Sequence, residues 1–130
     1  MSATVAAFAL LTAVGLAAAS DASYSPSATK ACLAAAGKNV QVESPVPVSL
    51  RKVTPYGTRG GLIWKDGQAG IYIEFGKSAA EAAAMRSAVL KLFGAKTGGA
   101  ATVVKGNAMA YTNHFKLTSS ESSTVETCLR

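Results

Sequence analysis

Two cysteines, Cys32 and Cys128, are the only ones in this chain of 130 residues, and they bracket most of it. In an oxidising compartment an even pair of cysteines usually forms a disulfide. Closing a loop of roughly 100 residues stabilises a fold by about 4.7 kcal/mol on the loop-entropy model, which is comparable to the net stability of a small domain. The alternative is two independent buried thiols that pack as small apolar side chains.

The N-terminal segment Ala3–Ala19 is an uncharged run of 17 residues that ends in three alanines. Small residues at the end of an apolar segment favour cleavage by signal peptidase. A spanning helix usually needs about 20 strongly apolar residues. We therefore predict a signal peptide over residues 1–19. A single-pass membrane anchor and a soluble alanine-rich helix are the alternatives.

The length and composition of the rest of the chain predict a single globular domain. Lys and Arg number 13 against 7 Asp and Glu, which gives a net charge of +6. This composition excludes disordered, collagenous, coiled-coil and multi-pass membrane proteins. We expect a linker over residues 20–27 and a single domain over residues 28–130.

Hydrophobic periodicity and capping residues predict an α+β fold. Ser25 and Pro26 can begin a helix that Gly37 ends. The apolar runs 62–65 and 71–75 flank an Asp-Gly turn and predict a β-hairpin. The remaining predicted elements are a strand at 39–43, its weak resumption at Val48, Leu50 and Val53, a helix at 79–93, a strand or hairpin within 102–112, and a short C-terminal helix.

The element order α–β–β–β–α–β–α predicts a two-layer sandwich, in which an antiparallel sheet carries its helices on one face. Two S-x-x-E patterns, Ser78 with Glu81 and Ser123 with Glu126, predict capping boxes at helix starts. Between residues 102 and 112 the sequence is compatible with a hairpin around Gly106 or with one strand.

Several short motifs together resemble a group of small exported actinobacterial proteins of unknown function. They are Cys32-Leu33 in the first helix, Phe75-Gly76, the segment Ser78 to Met85, Gly106-Asn107, and the closing Val125-Glu126-Thr127-Cys128-Leu129. The resemblance implies one disulfide-linked extracytoplasmic α+β domain. It implies no catalytic residues.

No established catalytic or cofactor motif is present in the sequence. His114 is the sole histidine, there is no G-x-S-x-G elbow, and the acidic residues are scattered. Two cysteines and one histidine without C-x-x-C spacing predict no metal site. The stretch Gly94–Gly99 lacks the P-loop pattern and follows a helix instead of opening one. We therefore expect no enzyme activity, no cofactor and no nucleotide, with His114 in a solvated loop.

The Gly-rich loop Gly57–Gly61 favours the entry to a hairpin, and an anion-binding nest around Arg59 is the alternative. The segment Arg51–Lys116 carries ten basic and three acidic residues. The candidate binding surface is a basic sheet face that includes aromatic residues, namely Tyr56, Arg59, Lys65 and Tyr72, whereas Trp64 is expected in the core.

These features favour an exported, non-enzymatic binding domain that contacts an anionic partner at the cell envelope. The partner would be an anionic envelope polymer, a lipid headgroup or an envelope protein, and nucleic acid is not expected. The alternative function is a membrane-anchored accessory subunit of an envelope complex.

Overall fold

A computed structural model describes residues 22–52, 54–94, 102–112 and 116–130. The predicted leader, His114 and most of the Gly94–Gly99 stretch lie outside these ranges. Within them, no helix is both long and apolar enough to cross a membrane.

The sheet has five antiparallel strands in the order β1-β2-β3-β5-β4. The antiparallel α+β prediction is therefore confirmed. The hairpin is the correct alternative for residues 102–112. The strands are β1 (Asn39–Val42), β2 (Gly61–Asp66), β3 (Ala69–Phe75), β4 (Thr102–Lys105) and β5 (Ala108–Thr112).

Three helices accompany the sheet: α1 (Pro26–Ala35), α2 (Ala79–Phe93) and α3 (Ser119–Cys128). The first helix begins as predicted, since the Ser25 side chain accepts a hydrogen bond from the N–H of Ala28 and Pro26 opens the first turn. At the other end of the helix Gly37 adopts a positive φ of 75°, a conformation that glycine adopts without steric cost.

The helices lie on both faces of the sheet, so their predicted placement on one face is wrong. Helices α1 and α3 pack on what we call the disulfide face, whose sheet residues are Leu62, Trp64, Ile71, Ile73, Phe75, Ala108 and Ala110. Helix α2 packs on the opposite face against Met109 and Tyr111. Strand β5 alternates small and large apolar side chains and is buried along its whole length, so it can support a helix on each side.

Helix α2 and a loop cover different parts of the opposite face, which we call the tyrosine face. It carries Tyr72, Glu74, Met109 and Tyr111, because the strand register pairs Tyr72 with Tyr111 and Glu74 with Met109. Helix α2 contacts β4 and β5. The 44–60 loop lies beside the end of this face formed by β1, β2 and β3.

Cys32 on α1 is bonded to Cys128 on α3, with Cα atoms 5.3 Å apart and a sequence separation of 96. The predicted bridge is confirmed. It joins the first and last helices beside the core, where Leu33 and Val125 are fully buried and Trp64 lies in the same cluster, as predicted.

Three local predictions are wrong. Val48–Leu50 form a 3-10 turn with exposed side chains instead of a strand, since the prolines at 45 and 47 remove the N–H groups that a ladder needs. The last helix begins at the capping box of Thr118 and Glu121, not at Ser123. Ser78 caps α2, but Glu81 does not return to Ser78 and instead bonds the preceding loop.

Candidate functional site

A pocket of about 410 Å³ opens where the 44–60 loop crosses the end of the sheet. The residue after β1, the first residue of β2 and the end of β3 border the pocket, and β3 forms its floor. The lining residues are Glu43, Ser44, Pro45, Val46, Arg51, Tyr56, Gly57, Thr58, Gly60, Gly61 and Glu74.

Two carboxyl groups, those of Glu43 and Glu74, meet in this pocket above Gly61. Gly61 is the partner of Glu74 in the β2–β3 register, and its carbonyl accepts a hydrogen bond from the N–H of Glu43 at 2.9 Å. A Cβ at position 61 would lie 2.7 Å from Oε2 of Glu74 and even closer to Oε2 of Glu43. The missing side chain of Gly61 therefore provides the space in which the two carboxyl groups approach each other.

Glu74 is only 2% exposed although it lies at the edge of the pocket. Its Oε2 accepts a hydrogen bond from the N–H of Gly57 at 2.8 Å. Its Oε1 is buried and has no hydrogen-bond partner in the described part of the chain. Burial, together with the hydrogen bond and negative charge of Glu43, raises the pKa of Glu74 to about 9, against the opposing effect of the Gly57 N–H. Glu74 is thus a neutral acid at pH 7.

Tyr72 and Tyr111, which are paired beside Glu74 on the tyrosine face, extend this buried polar region. The rings of Tyr72 and Tyr111 stack with centroids 5.1 Å apart and planes inclined by 17°. Burial raises the pKa of the Tyr111 hydroxyl, and the negative charges of Glu74 and Glu43 raise it further. The neutral phenol beside Glu74 adds no charge to the pocket.

The loop that roofs the pocket is fixed by hydrogen bonds to β3 and α2. The N–H of Arg59 donates to the carbonyl of Phe75 at 2.8 Å, and the N–H of Phe75 donates to the carbonyl of Gly60 at 2.9 Å. A Cβ on Gly57 would collide with the backbone of Phe75. Glycine at position 57 is therefore required for the close approach of the loop to the strand.

Glu81 connects the same loop to the start of α2. Its carboxylate accepts from the N–H of Thr58, the hydroxyl of Thr58 and the N–H of Lys77, each at 2.9 Å. Partial burial raises the pKa of Glu81, but these hydrogen bonds outweigh it and hold the pKa below its usual value. The carboxylate of Glu81 is therefore committed to the loop.

The Gly57–Gly61 loop is a hairpin entry, as favoured, and its N–H groups are turned inward. Those of Gly57, Thr58, Arg59 and Gly60 donate to Glu74, Glu81, Phe75 and Gly57 respectively. These four donors are engaged within the protein, so the alternative of an anion nest built from them is wrong.

Among the described lining residues, Arg51 is the basic one, and it lies on the outer wall of the pocket. The guanidinium of Arg51 lies over the ring of Tyr56, 5.5 Å from the ring centroid, and its Nε donates to the carbonyl of Val46. Pro45 and Val46 add apolar surface beside it. The pocket thus combines an acidic floor with an aromatic and aliphatic wall.

The four candidate surface residues do not form one patch. Tyr56 lines the pocket. Arg59 turns toward the N-terminal segment and donates to the hydroxyl of Ser23 at 2.8 Å. Lys65 lies four residues further along β2 than Gly61, about 13 Å away at the usual rise of a strand. Tyr72 is half-buried against Tyr111.

The acidic residues are scattered along the sequence, yet the fold brings Glu43 and Glu74, 31 positions apart, into one pocket. One signal could have indicated Glu74, namely a glutamate between Ile73 and Phe75 near the end of an apolar strand. Its burial depends on the 44–60 loop, whose path the sequence pattern does not specify.

The arrangement holds a proton at neutral pH and presents two carboxyl groups in a solvent-connected pocket. No cluster of three or more His, Cys, Asp or Glu residues suited to a metal ion occurs in the described ranges. Comparison of the chain with protein-family models, with curated proteins and with solved structures finds no match in any of the three.

Proposed function

We propose that the protein is an exported, non-enzymatic binding domain that contacts an anionic partner at the cell envelope through its basic surface. An anionic envelope polymer, a lipid headgroup or an acidic envelope protein would be such a partner. The resemblance to small exported actinobacterial proteins remains a prediction that is consistent with this function.

The proposal is carried by the observation that three acidic side chains are buried or hydrogen-bonded within the protein. Glu74 is buried and neutral, Glu121 is buried in the capping box of α3, and Glu81 is bonded to the pocket loop. Most of the described basic side chains are exposed instead: Arg51, Lys52, Arg59, Lys65, Lys77, Lys91, Lys105, Lys116 and Arg130. The outer surface is therefore more strongly positive than the net charge of +6 indicates.

The disulfide supports the location. A bridge that joins the first and last helices persists in oxidising, extracytoplasmic environments and is rare in the cytosol. Export through a cleaved leader over residues 1–19 is the route that we propose.

Salt-dependent retention tests the proposal. The disulfide-bonded protein should co-sediment with vesicles that contain phosphatidylglycerol, or bind immobilised poly(glycerol phosphate), at low ionic strength and should be released as salt is raised. The two arms separate a lipid headgroup from an envelope polymer. If neither material retains the protein at low salt, the proposal is overturned.

Charge reversal identifies the contact surface. Lys65 lies near the end of β2, close to the β2–β3 turn, and is changed in Lys65→Glu. Lys91→Glu, on the exposed side of α2, is a control of equal charge change. We expect Lys65→Glu to weaken retention more than Lys91→Glu. Equal losses would indicate a diffuse charge effect without a defined surface.

The anchored alternative is tested separately by the N-terminus of the protein recovered from its native location. Intact-mass analysis that gives a start near Ser20 excludes the membrane-anchored accessory subunit. Retention of Ala3–Ala19 in a membrane fraction would favour it.

A further inference from the structure

We propose that the pocket above Gly61 binds a primary alkyl ammonium group, which the carboxyl groups of Glu43 and Glu74 hold while Pro45, Val46 and Tyr56 line its alkyl chain. This site is distinct from the basic outer surface. It rests on the geometry of the pocket alone.

The unsatisfied acid at the floor of the pocket is the first observation. Glu74 is 2% exposed, yet its Oε1 has no hydrogen-bond partner among the described residues. Buried polar groups are nearly always hydrogen-bonded, so the orphaned oxygen of this pocket-lining residue is an acceptor without a partner. An ammonium group has three donors and can satisfy it.

The second observation is the charge of the lining. The carboxyl groups of Glu43 and Glu74, the latter neutral in the empty pocket, and the guanidinium of Arg51 all line the pocket. The N–H donors of Gly57, Thr58, Arg59 and Gly60 are all engaged within the protein. Among the charged or titratable groups of the described lining, an anion is therefore complementary to Arg51 alone, whereas a cation meets two carboxyl groups.

The size and the apolar wall define the rest of the ligand. A volume of about 410 Å³ lies within the range of small-molecule sites, roughly 300–1,000 Å³. Pro45 and Val46 are aliphatic, and the ring of Tyr56 already carries a cation on its face. A chain of a few methylenes that ends in an ammonium fits such a lining better than a bare metal ion does.

Binding exchanges a proton for the ligand. Glu74 gives up its carboxylic proton to solvent, and the resulting carboxylate pairs with the incoming ammonium, so charge is conserved in the pocket. The charged or titratable groups around Glu74 are Glu43, Arg51, Tyr72, Tyr111 and, through Thr58, Glu81. The raised pKa of Tyr111 keeps its phenol neutral, and Glu81 is already hydrogen-bonded to the loop. The exchange therefore belongs to the Glu43–Glu74 pair.

The direct test uses pentylamine as the probe and 1-pentanol as its neutral counterpart, with the full disulfide-bonded chain. Titration followed by NMR should shift the amide signals of Gly57 and Gly61 saturably with pentylamine and not with pentanol. Calorimetry in buffers of different ionisation enthalpy should show release of up to one proton per ligand. Affinity should rise by up to tenfold per pH unit from pH 6 to 8, since the alkyl ammonium, like a lysine of pKa about 10.4, keeps its charge.

Variants at the pocket separate this site from nonspecific binding. Glu74→Gln and Glu43→Gln keep the side-chain shape but remove a carboxyl group that can pair with the ammonium, and each should weaken pentylamine binding at least tenfold. Glu126→Gln, an exposed glutamate on the disulfide-face helix α3, should leave it unchanged. Glu74→Gln should also abolish the proton release.

Arg51→Met provides a test that does not touch the buried carboxyl groups. It removes the resident cation from the ring of Tyr56 and from the pocket, so pentylamine should bind more tightly than to the wild type. An anion site would respond in the opposite direction. The proposal is overturned by equal binding of pentanol, by unchanged binding in Glu74→Gln and Glu43→Gln, or by weaker binding in Arg51→Met.

Discussion

The side-chain amide of Asn107 is hydrogen-bonded to both backbone polar groups of Tyr24, 83 residues earlier in the chain. Its Oδ1 accepts from the Tyr24 N–H at 2.6 Å, and its Nδ2 donates to the Tyr24 carbonyl at 3.1 Å and to the Gly76 carbonyl at 2.7 Å. The backbone N–H of Asn107 also donates to the carbonyl of Ala22. One turn residue thus attaches the segment before α1, for which the sequence predicts a linker, to the β4–β5 hairpin.

Asn107→Ala should lower the free energy of unfolding by about 2–4 kcal/mol, because it removes three hydrogen bonds and leaves buried backbone groups without partners. Urea denaturation measures the loss. Asn39→Ala, at an exposed position of β1, is the matched control and should change stability little. A similar small effect at both positions would contradict the role assigned to Asn107.

Removal of the disulfide should be the most destabilising change outside the sheet core. The double variant Cys32→Ala/Cys128→Ala should lose about 3–5 kcal/mol, since the closed loop spans nearly all of the described domain. Thermal unfolding of this variant and of the oxidised wild type gives the difference. Non-reducing intact mass of protein from its native location should be lower by two hydrogens than the reduced form, and two free thiols there would contradict the compartment as well.

The stability of the wild type should fall as pH rises from about 4.5 to about 9. In this window Glu74 holds its proton in the folded state and loses it on unfolding, because its pKa is about 9 in the fold and 4.5 without it. For one group the slope is at most about 1.4 kcal/mol per pH unit. Glu74→Gln should remove this slope, whereas Glu126→Gln should retain it. Urea unfolding at pH 5, 6, 7, 8 and 9 measures the free energy of unfolding against pH. The same pH dependence in wild type and Glu74→Gln would be inconsistent with a buried neutral acid.

Two glycines of the pocket should differ in their response to alanine. At Gly57 the new Cβ would meet the backbone of Phe75, which cannot move without breaking the sheet. At Gly61 it would meet the ends of the Glu43 and Glu74 side chains, which can rotate away. We expect Gly61→Ala to cost about 1–3 kcal/mol and Gly57→Ala more. Urea unfolding ranks the two, and the reverse order would contradict the packing described.

Local signals in the sequence were sufficient for most elements. Ser25-Pro26 and Gly37 marked α1, the alternation Ile71, Ile73, Phe75 marked one face of β3, and Ser78 marked the start of α2. Each of these signals depends on contacts within a few residues, so the sequence contains the information directly. The cap of α3 differs from the prediction because Thr118 and Ser123 each precede a glutamate by three residues, so the local pattern alone does not distinguish them.

The placement of the helices required the tertiary structure. Strand β5 reads Ala-Met-Ala-Tyr-Thr, in which every residue is buried, and a run buried on both faces does not reveal which helix covers which side. The apolar stripe of α2, which includes Ala82, Met85 and Val89, shows only that this helix packs against another element of the fold.

The sequence by itself determined the excess of basic residues and predicted the bridge between Cys32 and Cys128 and the hairpin of β2 and β3, whereas export remains a prediction. Only the tertiary structure decided that Glu43 and Glu74 share a pocket and that Asn107 holds Tyr24. Burial and charge coupling depend on groups brought together across tens of residues. The proton on Glu74 is thus a property of the folded domain, which the residue type alone does not carry.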